Sequence, residues 1–211
     1  MKKNMFLYCT VILYLIVSLS LAGCLSVSNS PNSRFYALRT LDKSQVGQKL
    51  NFPADKIIGV GPVKIPEYLN RPQIVTEDKN RMLTFAQFDR WGESPDFAIN
   101  RLINENLIII LPDANIVMYP WNLFIPVSYK VYIDAVQMES RLDKDLFFAA
   151  QWSIIDLKNK KMAVTKRSEF RQPIEPHSYS GLVEALSTVC ASLSTEIARE
   201  LVSLADQLEE K

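Results

Sequence analysis

Apolar and polar positions follow three different patterns along the chain, and each predicts a different kind of element. Met5 to Leu21 is an almost unbroken apolar run, relieved only by Tyr, Cys, Thr and Ser. From Phe35 onward the runs are short, β-branched and aromatic, with polar turns between them. Phe35–Leu38, Ile57–Pro66, Gln73–Thr76 and Met82–Phe88 therefore read as strands. Pro66 and Pro72 pin the turn between the second and third, and Asp89–Glu93 reads as the close of the hairpin that follows. The period then changes to three and four. Phe97, Ile99, Leu102, Ile103, Leu107, Ile110 and Leu111 predict a helix, with Ser94 as cap, Pro95 at its first position, Asp96 in its first turn and Pro112 at its end. Asn115–Tyr119 is a short strand, and Pro120–Pro126 an apolar loop bounded by prolines. Ser128–Ser140, Asp145–Asp156 and Met162–Arg171 return to alternation, and their short polar connections predict an antiparallel meander. Leu182, Leu186, Val189, Leu193, Ile197, Leu201 and Leu204 predict a final amphipathic helix over residues 179–207. Strands, helix, strands, helix is the order of an α+β domain: a mostly antiparallel sheet with two helices packed on one face.

The first apolar run is a targeting segment. Lys2 and Lys3 give it a positive start, and small residues end it. Those residues run directly into a cysteine, and Leu21-Ala22-Gly23-Cys24 resembles the bacterial lipobox. Cleavage before Cys24 would follow attachment of a diacylglycerol to its sulfur. The new amine would then take a fatty acyl chain such as palmitate. Three chains, at about 0.8 kcal/mol per buried CH₂, hold a protein permanently on a membrane. The alternative is an uncut anchor, since the run is borderline for spanning. Leu25 stands where inner-membrane retention needs Asp, so the expected destination is the outer membrane. The predicted organisation is a signal peptide over 1–23, a lipidated tether over 24–34 and one domain over 35–211.

Composition narrows the class. Apolar residues are 48% and charged residues 22% of the chain, so the segment after the leader is globular. A net charge of +1 argues against nucleic acid as a partner. After cleavage and acylation at Cys24, Cys190 has no partner for an intrachain disulfide. The single histidine, His177, and the absence of a cysteine cluster argue against a transition-metal site.

Candidate chemistry is sparse. Gly59 and Gly61 lack the Lys-Ser/Thr ending of a phosphate loop, and Pro62 removes an N–H that a phosphate would need; a bulge or a close backbone approach is expected instead. His177 reads as a solvated loop histidine, Cys190 as a buried inert thiol, and Asp89 and Glu93, with Arg90 between them, as members of a salt-bridged turn. Three features keep a binding role. Tyr68, Leu69 and Arg71 lie on the proline-stiffened turn 67–72, which is either a rigid contact surface or only a hairpin tip. Trp121, Leu123, Phe124 and Ile125 are expected to form a lid over the open end of the core; the alternative is an exposed apolar patch for a partner or lipid. Trp91 is expected to fill the core beside a helix start rather than to anchor an interface.

The run from Ile58 to Thr76, IGVGPVKIPEYLNRPQIVT, resembles the signature of the ABC-type transport auxiliary lipoprotein family. Phe35–Leu38, Phe88–Glu93, Asn106-Leu107, Leu111-Pro112 and Pro120-Trp121 extend the resemblance over nearly the whole mature chain. Gly92, where Ala is expected, and the polar Ser94–Asp96 depart from it. The resemblance implies an outer-membrane lipoprotein that faces the periplasm. Its implied partners are an MCE-domain tunnel protein and an inner-membrane permease-like protein that move lipid between membranes and preserve the envelope. It implies ring-shaped homo-oligomers, and it carries no catalytic residue and no cofactor. A lipid-binding carrier, with Trp121–Ile125 lining a pocket, is the second reading.

Overall fold

The alternation is longest in β6 (Tyr129–Ser140), β7 (Asp145–Asp156) and β8 (Lys161–Pro173), and these pair in sequence order as the expected antiparallel meander. The computed structural model describes residues 31–42 and 49–209; the leader, Cys24 and the tether through residue 30 lie outside the described residues. The remaining elements are β1 (Arg34–Tyr36), β2 (Ile57–Lys64), a single 3₁₀ turn (Glu67–Leu69), β3 (Gln73–Glu77), β4 (Leu83–Trp91), α1 (Pro95–Ile110), β5 (Asn115–Met118) and α2 (Tyr179–Glu209). The α+β class is as expected. The strands divide between two mixed sheets, of order β5-β2-β6-β7-β8 and β1-β4-β3.

The division follows from the partners of β2. It pairs parallel with both β5 and β6, so the connection Tyr119–Ser128 has to cross over β2 to reach the start of β6. The β3–β4 hairpin is left to pair with β1. That pairing also lengthens β4 beyond the hairpin close expected at Asp89–Glu93. Arg34–Tyr36 runs parallel to Asp89–Trp91, and Gly92 N–H donates to the Tyr36 carbonyl at 2.8 Å.

One face of the larger sheet makes the core. In β6, Tyr129, Val131, Ile133 and Ala135 are buried, while Lys130, Tyr132 and Asp134 on the opposite face are half-buried. Ile58, Val60, Phe148, Trp152 and Ile154 meet Ile99, Leu102, Ile103 and Leu107 of α1 and Leu193, Ile197 and Leu201 of α2, all fully buried. Helix α1 packs on β2 and β5, helix α2 on β7 and β8, and the helices touch each other. Each large aliphatic or aromatic side chain so buried contributes about 1.5–3 kcal/mol. Trp152 Nε1 donates to Ser168 Oγ at 2.9 Å, and Ser168 Oγ donates to Glu196, which ties β8 to α2 through a polar bridge. Trp91 is buried in this core, as expected.

Strand β2 sets the two ends of the molecule. At its start, Ser128 N–H donates to the Ile57 carbonyl and Leu157 N–H to the Ser128 carbonyl, which gathers the Tyr119–Ser128 crossover and the β7–β8 turn. At its finish lie the Glu67–Pro72 turn, the β3–β4 turn and the β6–β7 turn.

Candidate functional site

Gly59 and Gly61 do both things that glycines in a strand were expected to do. The β2–β6 register shifts between Val60 and Val63, so the strand is bulged there. Gly61 has φ = +108°, and a Cβ on it would collide with the Asn100 amide. A Cβ on Gly59 would lie 2.7 Å from Trp121 Cη2. Ile58 and Val60 face the core, so Gly59 opens on the other face, and there the Trp121 indole lies on bare backbone. Tyr119 packs edge-on against it, with ring centroids 5.6 Å apart.

Trp121 is half-buried, but on the face of β2 away from the core, so it covers bare strand backbone and not the open end of the core expected for a lid. Leu123 and Phe124 are 97% and 92% exposed, and the lid expectation fails for them as well. The crossover folds on its own backbone. Asn122 Oδ1 accepts Phe124 N–H at 3.0 Å, the Asn122 carbonyl accepts Ile125 N–H at 3.0 Å, and the Ile125 carbonyl accepts Val127 N–H at 2.9 Å. With the backbone polar groups satisfied within the loop, the two apolar side chains project outward.

The turn at the other end is built differently. Leu69 N–H donates to the Pro66 carbonyl and Asn70 N–H to the Glu67 carbonyl, closing one 3₁₀ turn. Leu69 is 4% exposed and belongs to the core, so it staples the turn down and offers nothing to a partner; its place on the expected contact surface is corrected. Tyr68, the next residue back, points the other way and is half-exposed. The Arg71 guanidinium stacks 4.5 Å from the centroid of the Phe85 ring, itself exposed on β4. Phe85 was missed by sequence reasoning, although its position in an alternating strand opposite Val75 is the signal that marks it. Burial, then the nearby carboxylates of Glu77 and Glu139, push the Tyr68 phenol above its ordinary value.

Beside this turn lies a charged cleft of about 250 Å³, lined by Glu77, Arg81, Glu139, Arg141, Asp145 and Arg171 among others. Asp145 accepts from Arg141 Nη2 at 3.0 Å and Arg171 Nη1 at 2.9 Å. Its burial raises the carboxyl, and the two guanidinium bonds together outweigh that and hold it below the usual range.

The remaining sequence candidates separate. Asp89 accepts from Arg34 Nε at 2.8 Å, Arg34 Nη2 at 2.9 Å and the Tyr36 hydroxyl at 2.7 Å. Arg34 foremost, with Tyr36, holds the Asp89 carboxyl below the usual range. Glu93 instead accepts from Arg101 Nη2 at 2.5 Å. Both carboxylates are ion-paired, but with Arg34 of β1 and Arg101 of α1 rather than within a turn around Arg90, and Asp89 lies in β4, so the expected salt-bridged turn is corrected. His177 is exposed. Cys190 is fully buried, and burial pushes its thiol up to about 12, so it is inert. Among the described residues, no group of His, Cys, Asp and Glu is placed to hold a metal ion, and no helix is long and apolar enough to cross a membrane.

Two solved structures share this fold. One is the crystal structure of an uncharacterized protein, 16% identical, with a TM-score of 0.66 over 81% of this chain and 99% of its own. The other is a protein from Xanthomonas campestris, 10% identical, with a TM-score of 0.65 over 84% of this chain and all of its own. At these identities the likeness is one of fold alone. No curated protein matches the chain significantly. The family model of the ABC-type transport auxiliary lipoprotein component matches residues 36–198, a span that holds the glycine bulge, the 3₁₀ turn and the exposed crossover. The chain belongs to the family of ABC-type transport auxiliary lipoprotein components.

Proposed function

We propose that the protein is a non-catalytic docking component of an MCE-type intermembrane lipid transport system. It is held at the outer membrane through acylated Cys24 and faces the periplasm. Its domain meets an MCE-domain tunnel protein that an inner-membrane permease-like protein joins to the other membrane, and in this role it supports envelope integrity. The observation that carries this reading is membership of a transport auxiliary lipoprotein family, in a chain whose leader ends on Leu21-Ala22-Gly23-Cys24.

The surface supports a docking role. Tyr68 and Arg71, backed by Phe85, form a rigid aromatic and cationic patch on a turn stapled by Leu69. Aromatic residues and arginine are the usual anchors of protein interfaces. Trp121 and Phe124 form the second candidate surface. Self-association into a ring fits the larger sheet, which ends in β5 on one side and β8 on the other. A contact from one edge of a copy to the other edge of the next is heterologous and can close.

A photo-crosslinking residue in place of Tyr68 or Arg71, activated on native membranes, tests the partner. Recovery of an MCE-domain protein is the expected result; recovery of none from either position sinks the docking claim.

A further inference from the structure

Leu123 and Phe124 are the most exposed large apolar side chains among the described residues, and they stand side by side on a loop whose backbone is hydrogen-bonded to itself. Their surroundings identify an occupant. Across the face of the larger sheet that lacks helices, Cα partners run from Gly59, under Trp121, to Lys130, then Ile155, then Met162, which is 63% exposed. At the end of that row the β7–β8 turn carries Leu157, Lys158, Lys160 and Lys161, all exposed, and Leu157 N–H is bonded to the Ser128 carbonyl at the foot of the crossover. The foot of the apolar crossover is thus joined on one side to a turn that carries three exposed ammonium groups. Asp156, the carboxylate within this turn, is buried and turned back onto Asn159, whose N–H and Nδ2 it accepts at 2.9 Å and 2.7 Å.

We propose that the Leu123–Phe124 tip and the lysine turn beside it form a second membrane contact, the tip entering the acyl boundary and Lys158, Lys160 and Lys161 meeting the phosphates of an anionic lipid surface. Apolar side chains at such a boundary with cations at headgroup level are the pattern of interfacial anchoring. A protein interface would ask for a broad complementary patch. Two projecting side chains with cations behind them fit a fluid surface better. The proposal rests on the anchor reading for its strength. Extended, the chain from Cys24 to Arg34 spans at most about 35 Å, so the domain is held close to the headgroups. A weak contact is then fed by a high local concentration. The same surface is not needed for the tunnel, because the Tyr68–Arg71 patch lies at the opposite end of β2.

A nitroxide attached through Phe124→Cys in the full-length acylated protein, reconstituted in vesicles of phosphatidylethanolamine with a minority of phosphatidylglycerol, tests it. Cys190 is buried, and the label is itself apolar, so the tip keeps its character. The expected result is a label more accessible to oxygen than to a water-soluble nickel chelate, with the reverse at a label placed through Tyr68→Cys. Replacing Lys158, Lys160 and Lys161 together by Glu should shift the Phe124 label toward the water. A label at position 124 open to both reagents, or shielded from both as between protein surfaces, overturns the proposal. Mass spectrometry of the same sample reads the anchor separately. An unmodified Cys24 would remove the anchor reading and leave the label to decide the tip.

Discussion

Gly61 is the residue at which sequence and backbone are most tightly matched. Its φ of +108° lies where a Cβ is strained, and the Asn100 amide already fills the space a methyl would take. Gly61→Ala should therefore cost about 1–3 kcal/mol from the backbone alone, and more from the collision. Gly59→Ala meets only the rim of the Trp121 ring, which can swing aside, so its cost should be smaller. Urea unfolding of the two variants checks the order, and an unchanged midpoint for Gly61→Ala would remove the constraint. Asp89 gives a pH prediction at the same scale. Its carboxyl is depressed in the fold, chiefly by Arg34, so its stabilisation is complete above the ordinary carboxylate value and fades as pH falls through the depressed one. Unfolding free energies measured from neutral pH to below about pH 4 should fall on the acid side, and Asp89→Asn should flatten part of that fall. An unaltered acid limb would mean that the Arg34 pair adds nothing there.

Elements were legible to the extent that their partners are local. The β6–β7–β8 meander could be read because alternation and short turns fix both strand and neighbour, and α1 and α2 because their apolar stripes have helical spacing. The parallel pairs β2–β5, β2–β6 and β1–β4 were not legible, because each depends on a distant crossing that no local pattern records. The same limit explains the site. The rigid turn at 67–72 was found from its prolines, but which of its side chains faces the core is decided by β4 and the sheet beneath it. Their place on one proline-stiffened turn drew Leu69 and Tyr68 together as contacts; packing separates them. Leu69→Ala should cost about 2–5 kcal/mol as a core truncation, and Tyr68→Ala should stay within about 0.5 kcal/mol as a surface one. Thermal unfolding of the pair reads the difference, and equal losses would mean that the turn is not stapled as described. Leu123 and Phe124 are the converse case, taken for a lid on hydrophobicity alone and displaced outward because the loop satisfies its own backbone.

At the scale of the whole molecule, β2 separates two unlike ends by eight residues, about 26 Å at 3.3 Å per residue. One end carries the apolar tip and lysines, the other the Tyr68–Arg71 patch and the arginine-lined cleft. If the proposed anchor holds the tip end at a surface and the other end is offered away from it, the anchor is part of the mechanism. Cys24 precedes the first strand, Arg34–Tyr36, and the family match begins at residue 36. Cys24→Ala, exported behind an ordinary cleavable signal, should therefore yield a domain with unchanged thermal stability. Freed from the membrane, that domain loses the local concentration that a tether of about 35 Å provides. Its tip alone, two apolar side chains and a few lysines, gives a reversible hold at best. The soluble variant should then fail to restore detergent resistance in cells lacking the protein, while the acylated chain restores it at the same abundance. Replacing Phe124 and the three lysines in the acylated chain should give a partial defect, since the anchor survives and only the orientation is lost. Full rescue by the soluble domain would show that the anchor is dispensable, and the polarity of the fold would need another explanation.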